Sequence, residues 1–125
     1  MDRYEQAKSL MSSKYPAGIK IEDVFNELLD TYIEKKAPKQ RTARKSKKKT
    51  NSRYISKAIK DKIYLRDEGR CSFIGSNGVK CGSTWDLEVD HIQPYALGGG
   101  NEGENLQLLC RCHNQMRAEK TFGKR

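Results

Sequence analysis

Four cysteines, at positions 71, 81, 110 and 112, constrain how this chain can fold more than any other feature. Of its 125 residues 35% are hydrophobic and 33% charged, which leaves little apolar side chain for a core. A domain this small usually needs a metal or disulfides to hold it together. Cys71 and Cys81 flank Ser76-Asn77-Gly78, and Asn-Gly is a strong hairpin turn. Cys110 falls where the apolar run Leu106–Leu109 meets a helical stretch. Three thiolates need a fourth ligand to close the tetrahedral site of structural zinc. Cys112 would give a Cys-x-Cys pair, and His113 gives Cys-x2-His. Residues three apart share a helix face, whereas residues two apart diverge. The preferred set is therefore Cys71, Cys81, Cys110 and His113, with Cys112 the competing fourth ligand and two disulfides the alternative to metal. Zinc here is a fold staple, worth roughly 10–16 kcal/mol in small modules.

The spacing predicts three parts. Residues 1–37 read as a helical hairpin. Tyr4, Ala7, Leu10 and Met11 share one face of its first helix, Tyr15-Pro16-Ala17-Gly18 breaks that helix, and Ile21, Val24, Phe25, Leu28, Leu29 and Tyr32 form an apolar stripe on the second. Such a hairpin is too small to stand alone and packs on the rest or pairs with a second copy. Residues 38–52 are a basic linker that like-charge repulsion keeps open. It carries Lys39, Arg41, Arg44, Lys45, Lys47, Lys48 and Lys49 with no acid among them, and is expected to grip phosphates. Residues 53–125 form the remaining domain. It has a third helix over 53–68 capped by Gly69, strands at Leu87–Asp90 and Leu106–Leu109, a long loop between them, and a closing helix over about 111–121.

The net charge of +9 points to a polyanionic partner, with nucleic acid ahead of an anionic membrane surface or an acidic protein. No run approaches the ~18–20 apolar residues of a membrane span. Met1-Asp2-Arg3-Tyr4 lacks the apolar core of a secretory signal, so a cytoplasmic protein is expected, in which cysteines serve metals more than disulfides.

The chemistry concentrates in Leu87-Glu88-Val89-Asp90-His91-Ile92-Gln93-Pro94-Tyr95. A carboxylate such as Asp90 holds a hard divalent cation. An imidazole such as His91 is a natural general base near pH 7. Neighbours on a strand point to opposite faces, so the pair acts together only if the strand ends there, and Pro94 ends it. Glu88 is left outside the site, because alternation places it only approximately opposite Val89 and His91.

Gly69-Arg70-Cys71, Cys81-Gly82, Leu87 to Pro94, Gly98-Gly99-Gly100-Asn101, Asn105 to Cys110 and His113-Asn114, in that order and spacing, resemble a bacterial HNH endonuclease domain reaching from about Ile55 to Phe122. The resemblance implies an α+β fold of the ββα-metal (His-Me finger) type, with two strands and a helix around one divalent cation. It implies that Asp90 is the metal-binding acid, that His91 is the base that activates water, and that Asn105 ties the long loop together and helps orient His91. The last position departs from the simple pattern. Aligned on Cys110, His113 takes the zinc slot and Asn114 the catalytic one, an H-N-N variant that sets Arg117 one turn further on, where it can meet a phosphate. Aligned on Cys112-His113, H-N-H survives but one residue is deleted before the helix. The first alignment keeps the helix in register and is preferred.

The cofactors then expected are one catalytic Mg2+ or Mn2+ on Asp90 and Asn114 and one structural Zn2+. The reaction implied is hydrolysis of DNA, with RNA the alternative substrate, to 5′-phosphate and 3′-hydroxyl ends. A zinc-stapled nucleic-acid-binding module without activity and a toxin-type nuclease with an inhibitor partner are the competing readings.

Overall fold

A computed structural model of the chain describes residues 2–40 and 52–124. Most of the basic tract, including Arg44, Lys45, Lys47, Lys48 and Lys49, lies outside the described residues. The chain divides at Ala37–Pro38 into two compact units. Residues 1–37 carry slightly more acids than bases, so the whole positive surplus belongs to the second unit.

The first unit holds α1 (Arg3–Met11), a 3-10 turn at Ser12–Lys14, and α2 (Ile21–Lys36). Asp2 caps α1 by accepting the Glu5 N–H at 2.8 Å, and Asp23 accepts the Lys20 N–H at 2.9 Å at the start of α2. These bonds satisfy donors that a helix start otherwise leaves open. Lys14 Nζ sits 2.9 Å from Glu27 and ties the turn to α2. Val24 is buried, while Phe25, Leu28 and Tyr32 of the predicted stripe are exposed. On α1, Leu10 is 80% exposed, and none of the four residues expected to share one face is fully buried.

The second unit contains α3 (Lys57–Arg66), β1 (Leu87–His91), β2 (Leu106–Cys110) and α4 (Arg111–Phe122). The third helix starts four residues later than its periodicity predicts. Ser56 adopts an extended backbone and its hydroxyl accepts the Ile59 N–H, so the helix begins at Lys57. It ends where Glu68 and Gly69 turn left-handed, with the Gly69 N–H reaching back to the Tyr64 carbonyl at 2.9 Å. A Cβ at Gly69 would stand 2.8 Å from the Tyr64 ring.

The strands pair antiparallel, with Leu87 opposite Cys110, Val89 opposite Leu108 and His91 opposite Leu106. Leu87 and Val89 pack with Ile55, Ile59, Ile63, Leu106 and Leu108 on the α3 side. The opposite face of β1 carries Glu88 and Asp90, which meet side chains of α4. The loop between the strands folds through two 3-10 turns, Tyr95–Leu97 and Gly103–Asn105. It closes tightly at Gly99, where a Cβ would run into the Gln93 carbonyl and the Asn105 side chain. Among the described residues no helix is long and apolar enough to cross a membrane.

A polar latch joins α3 to β2. The Arg66 guanidinium holds Asp67 at 2.7 Å and donates to the Gly103 and Leu106 carbonyls at 2.7 Å each. Asp67 accepts the Leu108 N–H at 2.9 Å. Burial opposes the charge on Asp67, but Arg66 and the Leu108 N–H outweigh it and hold the carboxyl below its ordinary value. Such a group stabilises the fold fully above the unfolded carboxylate value of about 3.9. Its contribution disappears as the pH falls through the lower folded value. Asp67→Asn should lower Tm by a few degrees at pH 7 and give a shallower loss of Tm on acidification. Identical acid limbs for the two proteins in a melting series from pH 7 to pH 2 would contradict the latch.

Candidate functional site

Two centres form around α4. The first begins in the hairpin that follows α3. The Cys71 N–H donates to the Ser83 carbonyl at 2.8 Å, the Cys81 N–H to the Phe73 carbonyl at 2.8 Å, and the Gly75 N–H to the Val79 carbonyl at 2.9 Å. Asn77 turns the tip, its Oδ1 accepting the Val79 N–H at 3.0 Å. Cys110 is both the last residue of β2 and the N-cap of α4, with His113 in the next turn.

The sulfurs of Cys71, Cys81 and Cys110 and a ring nitrogen of His113 all lie within 4.8 Å of one another. His113 Nδ1 is 3.3 Å from Cys110 Sγ and 3.6 Å from Cys71 Sγ. A tetrahedral ion with Zn–S near 2.3 Å and Zn–N near 2.0–2.1 Å requires S···N separations of about 3.5 Å, so the donor set fits such an ion. Phe73 stacks on the His113 ring at 4.0 Å and fixes its plane. Cys112 is exposed and stands outside this group, and no described cysteine is in a disulfide. Burial pushes the Cys71 thiol up. At Cys110 burial acts the same way but is outweighed by the His113 N–H, the neighbouring thiols and the Cys112 N–H, so that thiol sits below its ordinary value. A helix N-terminus favours thiolate, the form that binds metal.

The second centre lies at the end of β1. Residues 88 and 90 are two apart and share the strand face toward α4. Glu88, left out on the sequence alone, therefore stands with Asp90. It accepts a hydrogen bond from Asn114 Nδ2. A carboxylate only accepts, so this bond turns the Asn114 nitrogen toward Glu88 and leaves Oδ1 for another partner. Asp90 Oδ2 accepts from Arg117 at 3.3 Å, and Arg117 also donates to the Ile92 carbonyl at 3.0 Å. His91 is on the opposite strand face, but the strand ends there. Arg53, Asp90, His91, Tyr95, Asn114 and Arg117 border one cleft of about 280 Å³. The Asp90 carboxylate and the Asn114 amide oxygen are hard donors of the kind that suit Mg2+ or Mn2+, ions that take one or two protein carboxylates and fill the shell with water and phosphate.

Asn105 does not border the cleft. Its Oδ1 accepts the Gln93 N–H at 2.8 Å, and its Nδ2 donates to the Gln93 and Gly100 carbonyls at 3.1 and 2.8 Å, so it ties the two ends of the loop. The His91 ring is hydrogen-bonded instead to Asn101, whose Oδ1 lies 2.7 Å from Nε2 as the acceptor. Arg53 escaped the sequence reading because it lies 37 residues before Asp90 and outside every motif.

Residues 79–119 match the model of the family described as HNH endonuclease, about a third of the chain. The match takes in β1, the loop, β2 and most of α4, together with Cys81, Cys110 and His113 of the first centre and Glu88, Asp90, His91, Tyr95, Asn114 and Arg117 of the second. It points to nuclease-type chemistry and to the use of a divalent cation. No curated protein and no solved structure gives a significant match to the chain.

The four-donor geometry generates a direct expectation. Purified protein should carry about one tightly held zinc per chain, and a strong chelator should lower Tm by tens of degrees, given the energies of structural zinc. Cys81→Ser should abolish zinc retention, whereas Cys112→Ser should leave it unchanged. Full stability in the chelated protein would remove the staple.

Proposed function

We propose that this protein is a metal-dependent HNH endonuclease that hydrolyses phosphodiester bonds in DNA. The observation that carries the reading is the convergence of Asp90, His91, Asn114 and Arg117 on one cleft inside the segment that matches the HNH family. A nucleic-acid-binding module has no need of an imidazole, a carboxylate and an amide oxygen on a single groove. The positive surplus of the second unit, and the basic tract 38–52 leading into it, suit a polyanion.

In this reading His91 accepts a proton from water as the water oxygen attacks phosphorus. The P–O bond to the 3′ oxygen breaks, the 3′ oxygen gains a proton from solvent, and 5′-phosphate and 3′-hydroxyl ends result. Asp90 and Asn114 would hold a divalent cation, which when bound would supply charge neutralisation at the scissile phosphate and the leaving oxygen. Glu88 holds the Asn114 amide in the orientation that offers its oxygen. Arg117 supplies the counter-charge to Asp90 in the free protein and lies where a phosphate would enter. The Cys71, Cys81, Cys110 and His113 set carries structural zinc and takes no part in the chemistry.

The test is supercoiled plasmid incubated with the protein and Mg2+ or Mn2+. Wild type should nick or linearise it and EDTA should stop the reaction. His91→Ala, folded by circular dichroism, should be at least ~10²-fold slower. Equal cleavage by both proteins would remove His91 as the base, and plasmid binding without cleavage at either metal would leave a binding module.

A further inference from the structure

Among the described residues Asn101 makes three hydrogen bonds, and all three bear on the cleft. Its Nδ2 donates to the Ser52 carbonyl at 2.8 Å and to the Tyr54 carbonyl at 3.0 Å. Carbonyls only accept, so these two bonds fix which end of the amide is nitrogen. The end facing His91 Nε2 at 2.7 Å is therefore the oxygen, an acceptor. Nε2 must then carry the hydrogen, and in the neutral ring the lone pair resides on Nδ1. Nδ1 has no hydrogen-bond partner among the described residues, and His91 borders the cleft. The two carbonyls that Asn101 grips flank a single residue, Arg53, whose side chain borders the same cleft.

We propose that Asn101 is a positioning residue that holds His91 with its proton on Nε2 and Nδ1 as the base nitrogen, and that holds Arg53 at the rim of the cleft as a phosphate contact. This rests on the nuclease reading for its use of Nδ1, but the geometry stands apart from it. An acceptor on the far nitrogen fixes both ring orientation and tautomer, as the third member does in a nucleophile–base–acid triad. At metal-ligating histidines the partner of the other ring N–H is typically worth 10–100-fold in metal affinity or activity, and an effect of that size is expected for a base held the same way. The bracket on 52 and 54 has a second consequence. It anchors the chain just before Ser56 caps α3.

The experiment has two readouts, one of which needs neither metal nor DNA. In protein with 15N-labelled imidazoles, observed well above the ordinary histidine value of about 6.5, His91 should be the pure Nε2–H tautomer with its ring proton protected from exchange. Asn101→Leu should lose that protection. Asn101→Asp keeps an acceptor opposite Nε2 and should retain it, while losing both donations to the Ser52 and Tyr54 carbonyls. In cleavage, Asn101→Leu should lower kcat 10–100-fold and Asn101→Asp should recover part of the loss. Arg53→Ala should leave kcat within about threefold while raising KM, and should weaken duplex binding measured in EDTA. Arg53→Lys should restore part of that binding.

A wild-type ring protonated on Nδ1, or one whose Nε2–H proton is equally protected in Asn101→Leu, would overturn the positioning role whether or not the protein cuts DNA. Unchanged duplex affinity in Arg53→Ala would overturn the second arm. If His91→Ala cleaves as well as wild type while the tautomer result holds, the nuclease assignment of His91 fails and the Asn101 geometry survives.

Discussion

Three sulfurs and one imidazole nitrogen, gathered within 4.8 Å, are the constraint on which the rest of the second unit depends. Cys71 follows the exit from α3, Cys81 closes the hairpin, Cys110 ends β2 and starts α4, and His113 occupies the first turn of α4. One cluster therefore draws together the chain that follows α3, the hairpin, the end of β2 and the first turn of α4. The two apolar clusters are small, and Cys71 and Cys110 are themselves members of one of them. A two-stranded sheet has marginal stability in water without such support. On the reading proposed here, a bound zinc supplies it, and thiolate formation at the helix N-terminus prepares Cys110 for the ion.

The direction of α4 positions the second centre. With its first turn fixed, Asn114 reaches Glu88 and Arg117 reaches Asp90, so two acids on one face of β1 meet an amide and a guanidinium. His91 projects from the other face and joins them only because the strand stops there and the loop folds back. That return depends on Asn105 tying Gln93 to Gly100, and on Gly99, which has no Cβ to keep the segments apart. Acid and imidazole, adjacent in sequence, thus come to one cleft from opposite sides of a ribbon.

Much of this was legible in the sequence, for identifiable reasons. Leu87–Asp90 and Leu106–Leu109 read as strands from their apolar pattern, and each strand runs one residue further, to His91 and to Cys110. The grouping of His113, rather than Cys112, with the three thiols follows from helical spacing at the start of α4. Other features were not legible. Ser56 delayed α3 because a capping hydroxyl competes locally with the apolar periodicity. Glu88 was set aside by comparing it with its odd-numbered neighbours, when its even-numbered neighbour Asp90 was the relevant one. Asn101 sat in a glycine-rich loop, where side-chain roles depend on a path that periodicity does not encode. The spacing on α2 predicts an apolar stripe, and most of that stripe is exposed, since spacing reports amphipathicity and not what covers it.

The most direct measurement of the central claim is the absorption spectrum of the protein with Co2+ in place of the native ion. A tetrahedral site of three thiolates and one imidazole predicts intense visible ligand-field bands with sulfur-to-cobalt charge transfer. Cys71→Ser, Cys81→Ser and Cys110→Ser should each weaken that charge transfer, and Cys112→Ser should leave it intact. A pale octahedral spectrum, or one lost on changing Cys112, would contradict the account.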